Sequence, residues 1–235
     1  MPPLPADDAL LLLPGSLCDD ALWAPQIKAL GRADVSVPRL SGLDSIETMA
    51  EAVLDGAPER FSLAGFSMGG RIALEMLRRA PGRVTRLALM DTSVHPVAEG
   101  EAARRKPMID LAFSEGMEAV ARSWIPRLVH PSRLDDEALM SLLLRMTARF
   151  TAQDYAEENR ALLNRPDPRP VLATIACPTL VLTGRQDPLS TPERNQEIAG
   201  SIPGAELVIL DDCGHFPTLE APERTTAAMR DWLGA

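Results

Sequence analysis

The stretch LAGFSMGGRIA, Leu63 to Ala73, puts a serine between glycines, directly after an apolar run and directly before an amphipathic one. Gly65 to Gly69 fits G-x-S-x-G, in which a serine sits on a sharp turn from a strand into a helix. The serine backbone is strained in such a turn, so its close neighbours must lack side chains. The hydroxyl then projects above the C-terminal edge of a sheet, where open α/β sheets bind their ligands. It also stands at a helix N-terminus, whose free N–H groups favour developing negative charge. A lone match of this pattern can be an ordinary tight turn. A match at a strand-to-helix junction points to a nucleophile.

The flanking sequence supplies that junction many times over. Short apolar runs at 9–14, 34–38, 61–66, 86–91, 179–184 and 206–211 read as strands. Most are apolar on successive residues, the mark of strands covered on both faces in a parallel sheet. Helical patterns lie between them, at 20–30, 45–56, 68–80, 192–200 and 221–233. Asp44 with Glu47 suggests a capped start for the second, and Thr191 with Pro192 for the fourth. This alternation predicts a doubly wound, mainly parallel α/β sheet of about six strands, with right-handed crossovers.

One segment breaks the rhythm. From Val97 to Pro168 no strand is evident, and 117–129, 135–150 and 151–165 are helical in pattern, the last with Thr151 and Asp154 as a cap. The expectation is a core of 1–96 and 169–235, with a helical cap inserted over 97–168. NRPDPRP, 164–170, reads as the linker back to the core.

The chain has 235 residues, 46% of them hydrophobic and 24% charged, which is enough apolar material for a sizeable core. Its net charge of −9 disfavours nucleic acid or an anionic membrane as partner. Cys18, Cys177 and Cys213 form neither a disulfide framework nor a zinc pattern, so no metal is expected. The N-terminus has no basic n-region, and its apolar run is too short for a signal or a membrane span. A cytoplasmic protein without membrane insertion is expected. Monomer and homodimer are both compatible with the sequence.

A serine hydroxyl is a weak nucleophile unless a base takes its proton, and the base needs an acid to orient it. In strand-turn-helix nucleophiles of this type the order is Ser, then Asp or Glu, then His. GRQDPLS offers Asp187 after one late strand, and DDCGHFPTLE offers His215 after the next. Asp91, at the end of the strand following the serine, is the alternative acid. His130 lies within the helical segment and reads as a solvated cap residue, while His95, at its entrance, could line a substrate cavity. The oxyanion needs two donors. One is the Met68 N–H. The other comes from the loop LPGSLCDDALW, either from Ser16 or, second, from Leu17. The Ser16 hydroxyl could instead face the substrate.

These residues resemble the α/β-hydrolase superfamily, in its branch of small serine hydrolases and esterases. The resemblance spans nearly the whole chain and rests on PGS (14–16), GFSMGG (65–70), LTGRQDPLSTPE (182–193) and GHFPTLEAPE (214–223). It implies a Ser67–Asp187–His215 triad, no cofactor, and a helical cap. Two features depart from the usual pattern. Pro14-Gly15 stands where His-Gly is common, and the first strand corresponds to the family's third.

The activity implied is cleavage of a small-molecule ester or related acyl compound through an acyl-enzyme. Dehalogenases and epoxide hydrolases of the superfamily use a carboxylate nucleophile, against which Ser67 argues. Arg71, four residues after the serine, also resembles the menaquinone-pathway lyase that eliminates pyruvate. Arg71 would there clamp a carboxylate, with Arg104, Arg122 or Arg149 assisting. Acyl transfer and a non-catalytic ligand receptor are further alternatives. Substrate contacts are expected from Leu17, Arg71, His95 and Trp124, and an apolar lining from Phe113, Met117, Ile125 and Leu128.

Overall fold

The structure, a computed structural model, describes residues 9–234; residues 1–8, whose lack of a targeting signal was read from sequence, and Ala235 lie outside it. Six strands are described: β1 Ala9–Leu13, β2 Val35–Ser36, β3 Phe61–Phe66, β4 Val84–Met90, β5 Thr179–Gly184 and β6 Glu206–Leu210. They form one all-parallel sheet in the order β2-β1-β3-β4-β5-β6. The order reverses at β1, so loops after β1 and β3 diverge there and open a crevice at the C-terminal edge.

The helices, in chain order, are α1 Ala24–Leu30, α2 Ile46–Gly56, α3 Met68–Arg79, α4 Glu101–Glu115, α5 Met117–Trp124, α6 Glu137–Ala148, α7 Ala152–Leu163, α8 Arg169–Leu172, α9 Pro192–Ser201, α10 Pro217–Glu220 and α11 Pro222–Leu233. Side chains alternate across each strand, so successive apolar residues feed two cores. Leu10, Leu12, Ala64, Phe66, Leu180 and Leu182 face α1 and α11. Leu11, Leu13, Phe61, Leu63 and Val181 face α2, α3 and α9. Both layers are needed, because a parallel sheet with one bare apolar face would leave half its strand side chains in water.

Several local expectations shift. The first turn at 20–30 is a 3-10 helix, Asp20–Trp23, and the α-helix starts only at Ala24, with Pro25 in its first turn. The cap of α2 is Ser45, whose Oγ accepts the Thr48 N–H at 3.1 Å, while Asp44 instead pairs with Arg160. Thr191 occupies the N-cap of α9 but makes no side-chain capping bond. Thr151 and Asp154 do form a reciprocal capping box on α7.

Between β4 and β5 the chain is helical throughout its regular structure, from α4 to α8. α4 escaped the sequence patterns. It carries Pro107 inside it, and little of it is apolar on one side. Its hold on the rest is partly ionic: Glu101 accepts from Arg105 one turn on and from Arg165 beyond α7. The stretch 164–170, read as linker, closes with the short α8 packed on the second core through Val171 and Leu172.

Candidate active site

Ser67 is the hinge between β3 and α3, and its backbone has φ 53° and ψ −113°. A non-glycine residue adopts that conformation only under constraint. Two contacts impose it. A Cβ on Gly65 would meet the Gly69 carbonyl oxygen at 2.4 Å, and a Cβ on Gly69 would meet the Leu13 oxygen of β1 at 2.4 Å. The Ser67 N–H is held by the Met90 carbonyl at 2.9 Å, and the Ser67 carbonyl accepts from the Thr92 hydroxyl at 2.7 Å. The turn is thus wedged between β1 and β4, with its hydroxyl pointing up and out.

His215 lies on the loop between β6 and α10, and its Nε2 stands 3.2 Å from Ser67 Oγ. Its Nδ1 is 2.8 Å from Asp187 Oδ2, on the loop after β5. Three loops from three strands therefore meet at one edge, 148 residues apart between serine and histidine. The ring is packed against Phe66 and Phe216, with centroids 5.0 and 5.5 Å away. Asp187 also accepts the Leu189 N–H at 2.7 Å. Burial works against its ionised form, but the charge and hydrogen bond of His215 outweigh that and hold the carboxyl below the usual range.

Asp91, the alternative acid, is buried beside Asp187 and does not bond His215. Its Oδ1 accepts from the Gly184 N–H at 2.9 Å and the Thr183 hydroxyl at 3.1 Å. Burial, with the neighbouring Asp187 charge, pushes Asp91 well up, opposite in direction to Asp187. The facing oxygens and nitrogen of Asp91, Asp187 and His215 lie within 4.8 Å of one another. The Asp187–His215 hydrogen bond and the upward push on Asp91 account for that clustering.

Two buried glutamates that the sequence reading passed over support the loops. Glu220, on α10, accepts N–H groups from His130, Gly214 and Phe216, at 2.8, 3.0 and 2.9 Å. It thereby ties the histidine loop to the segment after α5, whose Leu128 carbonyl takes the His215 N–H at 2.8 Å. Glu158, on α7, grips the loop after β1. Its Oε2 accepts both the Ser16 hydroxyl and the Leu17 N–H, the latter at 3.0 Å. Burial pushes this carboxyl up to about 7 although both bonds pull it down. Nothing in the neighbouring residues distinguishes such acids from solvated ones, because their partners are backbone groups or lie far off in the chain.

Above the serine opens a cavity of about 680 Å³, roofed by the segment between β4 and β5. Ser16, Leu17, Met68, Arg71, His95 and Trp124 all reach its wall, as do Ile125 and Leu128. Others do not. Phe113 is 60% exposed on the outside of α4. Met117 packs with Leu17, Val120 and Tyr155 in a separate small core. Arg122 and Arg149 pair with Glu118 and Asp19 on the surface. Arg104 does reach the cavity, and Arg105, Arg165 and Arg194 join it, which the sequence did not signal. His95 bonds Glu197 at 2.8 Å. His130, read as solvated, is only 14% exposed in its side chain and caps a 3-10 turn by accepting the Ser132 N–H.

A parallel six-stranded sheet with helices on both faces, carrying a strained serine at a strand-to-helix hinge, defines an α/β hydrolase. Residues 10–228 match the sequence model of the alpha/beta hydrolase family, and the chain belongs to it. The protein is an enzyme of the hydrolase type. It is 27% identical over 232 residues to a pimeloyl-acyl-carrier-protein methyl ester esterase of Nitrosomonas europaea, covering 92% of this chain and 91% of that protein. It superposes on a thermophilic esterase from Thermogutta terrifontis, solved with malate bound, with TM-score 0.87 and 29% identity, covering 97% and 89% of the two chains. An enol-lactonase from Burkholderia xenovorans gives TM-score 0.86 and 26% identity, covering 97% and 92%. Among the described residues no helix is long and apolar enough to cross a membrane.

Proposed function

We propose that the protein is a serine carboxylesterase acting on a small-molecule acyl substrate through an acyl-enzyme, with Ser67, His215 and Asp187 as its triad. The observation that carries this is the unbroken line Ser67 Oγ, His215 Nε2, His215 Nδ1, Asp187 Oδ2, at 3.2 and 2.8 Å. The esterases and the lactonase among its relatives support the same reaction class.

His215 takes the Ser67 proton as the oxygen attacks the ester carbonyl, then returns it to the leaving alcohol. Asp187, ionised beside it, holds the imidazole in the tautomer that presents a bare Nε2 to the serine. The oxyanion of the tetrahedral intermediate lies against the Met68 N–H at the start of α3 and the Ser16 N–H after β1. Leu17 is the weaker choice for the second donor, because Glu158 already holds its N–H. Each such donor is worth about 3–4 kcal/mol in the transition state. Water, activated by His215, then attacks the acyl-serine and releases the acid. Residues 1–96 and 169–235 form the catalytic core in this reading. Residues 97–168 are the cap, which excludes water from the cavity and shapes it to the substrate.

The test is Ser67→Ala assayed on short p-nitrophenyl esters, beside a fluorophosphonate labelling of the native enzyme. The expected result is a stable, inactive variant and a native protein labelled at Ser67. Undiminished turnover in Ser67→Ala would overturn the proposal.

A further inference from the structure

The loop after β1 meets the nucleophile on one side and the cap on the other. A Cβ on Gly15 would stand 2.8 Å from the Phe66 ring and 3.1 Å from Ser67 Cβ, so the loop backbone lies directly against the serine. The Ser16 N–H, the second oxyanion donor in the reading above, is taken by no acceptor among the described residues. It is left to bond a substrate oxygen.

The core holds this loop at its flanks. The Cys18 N–H closes a turn on the Gly15 carbonyl at 3.2 Å, and Cys18 packs into the core that faces α1 and α11. The Ser16–Leu17 segment between those points is held from the cap. Leu17 has φ 56°, a left-handed conformation that a side chain tolerates only where its surroundings impose it. Its side chain packs with Ala112, Met117, Val120 and Tyr155, and every other described member of that small cluster also comes from 108–155. Its N–H is held by Glu158 Oε2 at 3.0 Å, and the same oxygen accepts the Ser16 hydroxyl. Two residues on, Asp19 pairs with Arg149 just after α6.

Glu158 is the polar half of this clasp. Its two bonds fix the Ser16 side chain and the peptide that follows it, while Gly15 is fixed by the ring beneath. The Ser16 N–H, between these points, has little freedom left to turn. An oxyanion donor is effective only when it is already aimed before the charge develops. Without the carboxylate, the strained Leu17 can relax and swing that N–H away. Glu158 itself lies outside the cavity wall, so it acts through the loop and not on substrate.

We propose that Glu158 is a positioning residue of the reaction: reaching from the cap, it aims the Ser16 N–H at the oxyanion formed on Ser67, so that the oxyanion hole is complete only while α7 is docked on the loop after β1. This role rests on the serine esterase reading above.

The test compares Glu158→Ala, Glu158→Gln and Arg160→Ala on a p-nitrophenyl ester. In Glu158→Ala kcat is expected to fall at least tenfold, toward the roughly 10²–10³-fold of losing an oxyanion donor outright, with KM changed less than threefold. Glu158→Gln keeps an acceptor oxygen and should recover at least half of the native kcat. Arg160→Ala breaks a different cap-to-core tie from the same helix, the pair with Asp44 at 2.7 Å, and should stay within twofold of native. Glu158→Leu, which fills the same space without an acceptor, replaces the alanine variant if that one does not fold. Two ketones separate aiming from mere stability. Ser67 adds to trifluoromethyl hexyl ketone, its proton passing to His215 and the carbonyl oxygen becoming an oxyanion, whereas methyl hexyl ketone stays a ketone. Glu158→Ala should weaken inhibition by the first at least tenfold and by the second less than threefold. A fall in kcat below tenfold, a glutamine variant as slow as the alanine one, or equal losses for the two ketones overturns the positioning role, and an inactive Ser67→Ala then leaves the triad standing. Turnover that survives Ser67→Ala removes the esterase reading, and this role with it.

Discussion

Replacing Glu158 by glutamine should make the protein more stable, by an amount that grows as the pH rises from about 5 to 8. The carboxyl is almost wholly buried between α7 and the loop after β1, and both donors it receives go to one oxygen, Oε2. The amide oxygen of a glutamine can take that place, so Glu158→Gln keeps the Ser16 and Leu17 bonds and removes only the charge. Glu158 titrates at about 7 in the fold, against 4.5 when unhindered. The native state therefore holds its proton more tightly than the unfolded chain does. The favourable contribution is complete below pH 4.5 and is lost as pH rises through 7. At about 1.4 kcal/mol per pH unit between the two values, the loss is about 3 kcal/mol. Urea unfolding of both proteins at pH 5, 6, 7 and 8 measures it. Other groups titrate alike in both and cancel in the difference. Glu158→Gln should gain on the native protein steadily from pH 5, levelling near pH 8, where the gain corresponds to roughly 6–12 °C in Tm for a chain of this size. A stability difference that is the same at every pH would refute the reasoning, since it would mean Glu158 ionises as it does in water.

Four further outcomes follow from the geometry. Asp187→Asn should lower kcat by about four orders of magnitude with the fold intact, because the asparagine no longer fixes the His215 tautomer; steady-state kinetics on a p-nitrophenyl ester checks it. Asp91→Asn should cost less than about tenfold in kcat in the same assay, since burial already pushes the native carboxyl well up, toward its neutral form, and the amide oxygen can keep the Gly184 and Thr183 bonds. Glu220→Ala strands three N–H groups and should destabilise by at least about 3 kcal/mol, read by urea unfolding. Gly69→Ala pushes a methyl into the Leu13 carbonyl and should abolish soluble expression or activity, whereas Gly82→Ala, with open space around it, should be tolerated.

The alternation of apolar strands with amphipathic helices was enough to define a parallel doubly wound sheet, because burial on both faces leaves an unbroken hydrophobic run in the text. The G-x-S-x-G turn was equally legible, since only glycine tolerates backbone atoms 2.4 Å from where its Cβ would be. Asp187 and His215 could be named because each follows a strand, and strand ends of a parallel sheet share one edge. α4 was missed because little of it is apolar on one side and Pro107 argues against a helix, while the Arg165 and Arg105 bonds to Glu101 that help hold it come from partners that spacing alone does not single out.

What the linear order could not express is which charges lose their water. Arg71 and Arg122 look alike in sequence, yet one faces the cavity without an anion and the other pairs with Glu118 in solvent. Asp91 and Asp187 both follow strands, and only burial together with their mutual approach pushes the first carboxyl well up while His215 holds the second down. Strand, turn and nucleophile follow from local sterics and periodicity, which neighbouring residues encode. Protonation states and the shape of the substrate cavity follow from desolvation and from partners up to 148 residues away, which exist only once the chain has closed on itself.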